Sequence, residues 1–234
     1  RLSLVGSEMC IRDRYGTYMF DWKNTEAIIP AVVSIPERAK SLQQLLVDLS
    51  IQCPGISATV IPQWKQSPRS NPRSAFESIA KGLHKISSPW IFYMEEDIQL
   101  SSRFGELVPE VLNKISDECG AVSFFSPNKT EQKLVRLNGS SLNEAGEPFT
   151  YAQCVAMKLK VALAWKNMIL PWWDAAPSGK KRAPDMALGD CCKNLGLKIF
   201  IYLPNLVQHR CIESGFGHSN RPKSYTFIDD LNDV

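Results

Sequence analysis

Short runs of β-branched and aromatic residues alternate with helix-period segments along most of this chain, and that alternation constrains the fold more than any other feature. "AIIPAVVSIP" (27–36) is an apolar, β-branched run, and in "ERAKSLQQLLVDL" directly after it Leu42, Leu45, Leu46 and Leu49 recur at helical spacing. The two read as a buried strand feeding a helix. "ISATVIP" (56–62) repeats the strand signal, "SAFESIAKGLHKI" (74–86) sets Phe76, Ile79, Ala80 and Leu83 on one helical face, and "PWIFYM" forms a third strand. A helix around 103–116 and a short strand "GAVSFF" (120–125) follow. The polar stretch 126–148 has little periodicity and reads as hairpin and loop. "FTYAQCVAMKL" resumes as strand, "KVALAWKNMIL" as helix, "PDMALGDCCKNLG" as a helix ending at Gly196, and "LKIFIYLP" as the last central strand. Strands alternating with helices predict an α/β fold whose mostly parallel sheet is covered on both faces.

The amino terminus breaks this pattern. "LVGSEMCIRD" (4–13) fits neither helix nor strand, and in one reading frame it back-translates to an arm of a transposase-based sequencing adapter. A signal peptide would need an apolar run where Glu8, Arg12 and Asp13 stand. Residues 1–14 are therefore expected to be a non-native segment, with 15–234 forming one globular domain, a length sufficient for a large core. The formal net charge is +3, one unit of which comes from that first segment, and so slight a basic excess argues against a dedicated nucleic-acid binder. Val161 to Leu170 is interrupted by Lys166 and Asn167, far short of the roughly 18 apolar residues of a membrane span. Cys53, Cys119, Cys154, Cys191, Cys192 and Cys211 lack the paired short spacings of a zinc site. Reduced thiols in a cytoplasm are the expectation.

Chemistry concentrates in "YMEEDIQL" (93–100), where an apolar strand ends in three consecutive acids, Glu95, Glu96 and Asp97. Carboxylates are costly to bury unpaired. At the carboxyl end of a central parallel strand, where open α/β sheets bind ligands, such a cluster suits a hard cation such as Mg²⁺ or Mn²⁺. Extended backbone lets Glu95 and Asp97 converge while Glu96 points elsewhere. The competing reading is a strand end with solvated acids, Asp97 or Ser101 capping the next helix.

The order of these segments resembles the nucleotide-diphosphosugar glycosyltransferases of the GT-A fold. Glu95, Glu96 and Asp97 match their Asp-x-Asp type metal motif, with Glu in the first place. "VVSIPERAKSLQQLL" resembles their opening strand and nucleotide-contacting loop, and "PDMALGDCCKNLGLKIFIYLPNLVQH" resembles the late helix, strand and histidine segment of small bacterial and viral members. The resemblance implies a Rossmann-like three-layer sandwich and a hexosyl-type transferase. It would use Mn²⁺ or Mg²⁺, a nucleotide-sugar donor of the UDP or GDP type, and a glycan or lipid-linked glycan acceptor.

Carried over residue by residue, the resemblance implies Asp97, His209 and Glu95 as metal ligands and Asp185 as the acid that deprotonates the acceptor hydroxyl. Ser34, Pro36, Glu37 and Arg38 would meet the nucleotide from the loop after the first strand. Arg73, with weaker claims for Arg69 and Asn71, would meet it from the segment before the third, and Glu95, Glu96 and Asp97 would face its diphosphate. Each residue has a plainer alternative: a structural histidine at 209, a helix-start acid stabilised by the helix dipole at 185, and solvated arginines at 38 and 73. Arg210, His218, Arg221 and Lys223 are possible diphosphate donors on a Gly- and Ser-rich tail. Trp172 and Trp173 offer either sugar-stacking faces or core packing, and Tyr151 and Gln153 are unoriented.

Two rival functions stay open on the sequence. A nucleotidyltransferase would normally carry a Gly-rich, basic phosphate loop after the first strand, and "SIPERAKS" has no glycine. A nucleotide- or glycan-binding module could keep the fold without turnover. A cytoplasmic chain is expected, and peripheral membrane contact finds no support in a long basic amphipathic helix.

Overall fold

The computed structural model describes residues 19–31, 36–62, 73–175, 183–210 and 223–233. Residues 1–14, Ser34, Arg69, Asn71, His218 and Arg221 lie outside the described residues.

Seven strands form the main sheet in the order β2-β1-β3-β7-β5-β8-β6. They are β1 (Thr25–Ala31), β2 (Ser57–Pro62), β3 (Trp90–Met94), β5 (Cys119–Ser123), β6 (Ser141–Glu144), β7 (Cys154–Lys158) and β8 (Lys198–Leu203). Strands β1, β2, β3, β5 and β8 run in one direction; β7 runs against β3 and β5, and β6 runs against β8. The sheet is mostly parallel, as the alternation predicts. Two short strands, β4 (Ile98–Leu100) and β9 (Val207–His209), form a separate antiparallel ribbon.

Period-two alternation sorts the strand side chains onto two layers. Ala27, Ile29, Phe92, Met94, Val122 and Ala156 join the core under α1 (Pro36–Gln52) and α3 (Phe104–Leu112). Ile28, Ile91, Tyr93, Ala121, Val155 and Met157 join the core under α2 (Arg73–Gly82), α5 (Leu159–Ala175) and α6 (Pro184–Asn194). The result is a three-layer sandwich. Burying any one of the Val, Ile, Met or Phe side chains among them contributes about 1.5–3 kcal/mol. The first layer is held by an aromatic cluster in which Phe92 lies 6.3 Å from Phe104 and 6.2 Å from Phe124.

Two glycines show why the layers sit so close. A Cβ on Gly105 would lie 2.0 Å from the Gln52 carbonyl oxygen, so only glycine lets the start of α3 meet the end of α1. Gly196 has φ +65°, the left-handed conformation that ends α6 and turns the chain into β8.

The structure departs from the sequence expectations in three places. Within 126–148 it contains α4 (Glu131–Asn138) and a single strand, β6, that pairs with the distant β8, in place of a hairpin and loop. Most of α4 is exposed and β6 is an edge strand, so neither carries the apolar repeat that periodicity detects. Glu96 and Asp97 lie in a turn between β3 and β4, where extended backbone is expected, whereas β8 sits between β5 and β6 as an interior strand, as its apolar run predicts. Helix α5 continues through Pro171 to Ala175, because Trp172 and Trp173 pack on Phe76 at 6.2 and 4.6 Å and the Trp172 indole donates to Asp190 at 2.7 Å. Five cysteines (53, 119, 154, 191 and 192) are free and buried. Burial pushes the Cys119 and Cys191 thiols up to about 11.

Candidate metal centre

Chain direction gathers the polar groups at one edge. In a βα unit the helix runs back against its strand, so α1 and α6 start at the carboxyl edge of the parallel strands. Because β7 is antiparallel, its beginning lies at that same edge. Glu95–Asp97 follow the end of β3, and the Glu95 N–H donates to the Gln153 carbonyl at 2.9 Å, just ahead of β7. The chain then leaves the main sheet as β4, where Ile98 pairs with His209 of β9.

That register sets the imidazole beside the acids. Ligand atoms of Glu95, Asp97 and His209 all lie within 4.8 Å of one another. His209 Nε2 is 3.6 Å from Asp97 Oδ2 and 3.8 Å from Glu95 Oε2. Their side-chain exposures are 0% for Asp97, 2% for His209 and 30% for Glu95, so the cluster is closed beneath and reaches solvent on the Glu95 side. Two carboxylates and an imidazole form an O,O,N donor set that suits Mn²⁺ and accepts Mg²⁺ less readily. Beneath His209, the Gln208 side-chain oxygen accepts from the His209 N–H at 3.1 Å and the Ser224 N–H at 2.7 Å, anchoring β9 to the carboxyl-terminal segment.

Arg38 and Glu96 lie on the inner side of this cluster. Arg38 is buried, and its guanidinium pairs with the Glu96 carboxylate and, at 2.6 Å, with Asp97 Oδ2. It is thus neither a solvated helix-start arginine nor a side chain extended into an open loop. Pro36 and Glu37 are exposed at the first turn of α1. Arg73 pairs with Asp174 at 3.1 Å and with Glu77, which ties the start of α2 to the end of α5. Arg210 is also engaged: its Nε donates to the Ile98 carbonyl at 3.0 Å and its terminal nitrogen lies 3.7 Å from Asp48. Lys223 is exposed.

Asp185 follows Pro184 at the start of α6 and is partly buried. Burial pushes its carboxyl up to about 6, although backbone N–H groups of Met186, Asp185 and Ala152 each pull it down. The Met186 N–H is 3.0 Å from its Oδ1. Asp185 thus touches Ala152 while the adjacent Gln153 carbonyl holds Glu95, so the start of β7 spans from one acid to the other. Tyr93 reports the same convergence. Its phenol is held well above the usual tyrosine range, first by burial and then by the charges of Glu95, Asp185, Glu96 and Asp97.

Sequence reasoning did not identify Tyr93, Gln208 or Asn205 as parts of this edge. Asn205 is fully buried, and its amide nitrogen lies 2.9, 2.7 and 2.8 Å from the Ser126 carbonyl and the Ser224 and Thr226 hydroxyls, sharing its two hydrogens among them. The signal available was the polar pair Asn205 and Gln208 inside the apolar run "YLPNLVQH", where unpaired polar groups would be costly.

A glycosyltransferase involved in glycosylation of the major capsid of PBCV-1 superposes on this chain with a TM-score of 0.51 and 10% identity, covering 82% of this chain and 94% of its own. The chain has the GT-A fold. A mannosyltransferase from Pyrobaculum calidifontis, solved with GDP-Man and Mn²⁺, is also similar (TM-score 0.48, 14% identity, 76% of this chain). This chain spans 56% of that protein's length. Glucosyl-3-phosphoglycerate synthase from Mycobacterium tuberculosis, solved with Mn²⁺, UDP and glucosyl-3-phosphoglycerate, gives 0.47 at 15% identity, covering 89% of this chain and 74% of its own. No family model matches the sequence, and neither does any curated protein. Among the described residues no helix is long and apolar enough to cross a membrane.

Proposed function

We propose that this chain is a metal-dependent glycosyltransferase that moves a sugar from a UDP- or GDP-type donor to a hydroxyl of a glycan or lipid-linked glycan. The observation that carries this reading is the convergence of Glu95, Asp97 and His209 at the carboxyl edge of a GT-A sheet. These three residues would hold Mn²⁺ or Mg²⁺. When bound, the ion supplies positive charge against the donor diphosphate.

The remaining roles fall to side chains at the same edge. Asp185, ionised above a pH of about 6, accepts the proton of the acceptor hydroxyl in an inverting transfer. Pro36 and Glu37, exposed where α1 begins, contact the nucleoside, and Arg73 contributes from the start of α2; Ser34, outside the described residues, is assigned the same role from the sequence alone. Glu95, the most open of the three ligands, stands at the mouth of the site.

A thermal-shift screen of UDP- and GDP-sugars with and without Mn²⁺ tests the reading. A true donor at a hundred times its dissociation constant adds about 2.7 kcal/mol of apparent stability, and only with the metal present. Mn²⁺-dependent release of nucleoside diphosphate from that donor separates an enzyme from a binding module. If no nucleotide sugar shifts the melting point under either condition, the proposal fails.

A further inference from the structure

Asp97 is itself held in place, and the group that holds it comes from the first turn of α1, 59 residues earlier in the chain. Arg38 reaches from the first turn of α1 into the protein, where its two terminal nitrogens divide between Glu96 and Asp97 Oδ2. All three side chains are at most 5% exposed. A buried guanidinium set against two buried carboxylates neutralises charge that would otherwise repel within the acidic triplet. Its planar fork also restricts the carboxylates' orientation in a way that a point charge does not. Arg38 and His209 approach the same oxygen of Asp97, at 2.6 and 3.6 Å, so the rotamer fixed by Arg38 is the one that faces the imidazole.

We infer that Arg38 is the positioning residue of the metal centre. With Glu96 as its anchor, it holds the Asp97 carboxylate toward Glu95 and His209, so that the ligand set is assembled before a cation arrives. Glu96, the middle acid of the triplet, thereby serves as an anchor for the arginine and not as a ligand. This inference rests on the reading of Glu95, Asp97 and His209 as a metal site. Outer-sphere partners that orient a ligand characteristically set metal affinity by factors of roughly 10–100.

The test measures Mn²⁺ alone, without nucleotide, by the loss of the free-ion electron paramagnetic resonance signal, with circular dichroism confirming the fold of each variant. Arg38→Met is expected to weaken Mn²⁺ binding roughly 10- to 100-fold. Arg38→Lys keeps the charge but loses the fork, and Glu96→Gln keeps the shape but loses the anchoring charge; each is expected to weaken binding several-fold. Should Arg38→Met fail to fold, Arg38→Lys and Glu96→Gln decide. Wild-type affinity in both of those variants overturns the inference, because an arginine serving only the fold or the nucleoside would leave Mn²⁺ binding alone. Tighter binding in the Arg38 variants also overturns it, since the guanidinium would then merely repel the cation. If the wild-type protein itself takes up no Mn²⁺, the metal site fails and the inference falls with it. A wild type that binds beside unaffected variants defeats only the role of Arg38.

Discussion

Ile98 lies directly opposite His209 in the ribbon formed by β4 and β9, and this pairing brings a histidine more than a hundred residues away in sequence to the end of β3. The backbone reinforces it: the Arg210 N–H donates to the Asp97 carbonyl at 2.8 Å. An acidic strand end and a distant imidazole are thereby made into one ligand set.

Replacing Asp97 by Asn keeps its shape and removes its charge. Mn²⁺-dependent donor binding is expected to disappear in calorimetric titration. Asp97→Ala is expected to cost stability as well, about 3–5 kcal/mol, because it breaks a buried ion pair from one side. A variant that titrates with donor and Mn²⁺ as wild type does would remove Asp97 from the site.

His209→Ala removes a ligand from a short ribbon whose backbone pairing it leaves intact. The Mn²⁺ concentration for half-maximal activity is expected to rise by at least the roughly 10–100-fold that loss of an outer-shell partner causes, with far-UV circular dichroism unchanged. An unchanged Mn²⁺ titration would make His209 purely structural.

Asp185→Asn separates catalysis from stability. Turnover is expected to fall about 10²–10⁴-fold with donor affinity preserved, and the rise in wild-type kcat/KM through a pH of about 6 should vanish. Burial raises the folded carboxyl above its unfolded value of 3.8, so the ionised group opposes folding. That cost is absent below pH 3.8, grows as pH rises, and is complete above about 6. The Asn variant should therefore gain about 1–3 kcal/mol at pH 8 in urea unfolding and lose that advantage toward pH 3.5. Equal turnover in both proteins would reassign Asp185 to structure.

Gly105→Ala tests the packing that supports the edge. The added methyl would meet the Gln52 carbonyl, a backbone atom that cannot rotate aside. Overpacking of this kind costs about 1–3 kcal/mol, read as a lower midpoint in chemical unfolding. A midpoint equal to wild type would show that α1 and α3 separate without strain.

Much of the fold was legible because its signals are local. β3 is apolar at every position and buried at every position, and Leu42, Leu45 and Leu49 announce the buried face of α1. Glu95 and Asp97 do converge, but through the turn at Glu96 and Asp97 that joins β3 to β4 and not through the period of extended backbone. α4 was hidden for the opposite reason. Glu131 is its one buried residue, and its fixed position owes much to the bonds from Ser126 to Glu131 and from Gln132 to the Tyr225 carbonyl. No periodicity encodes such contacts.

What the sequence by itself determined is the layered architecture and the place of the acidic strand end, since hydrophobic period and chain order act over a few residues at a time. Only the tertiary structure decided which partners meet those acids. Arg38 turns inward to Glu96 and Asp97, His209 arrives through the pairing of β4 with β9, and the antiparallel course of β7 sets Ala152 and Gln153 between Asp185 and Glu95. These depend on register and strand direction across the whole sheet, and burial, which raises the Asp185 carboxyl, exists only once the layers have closed.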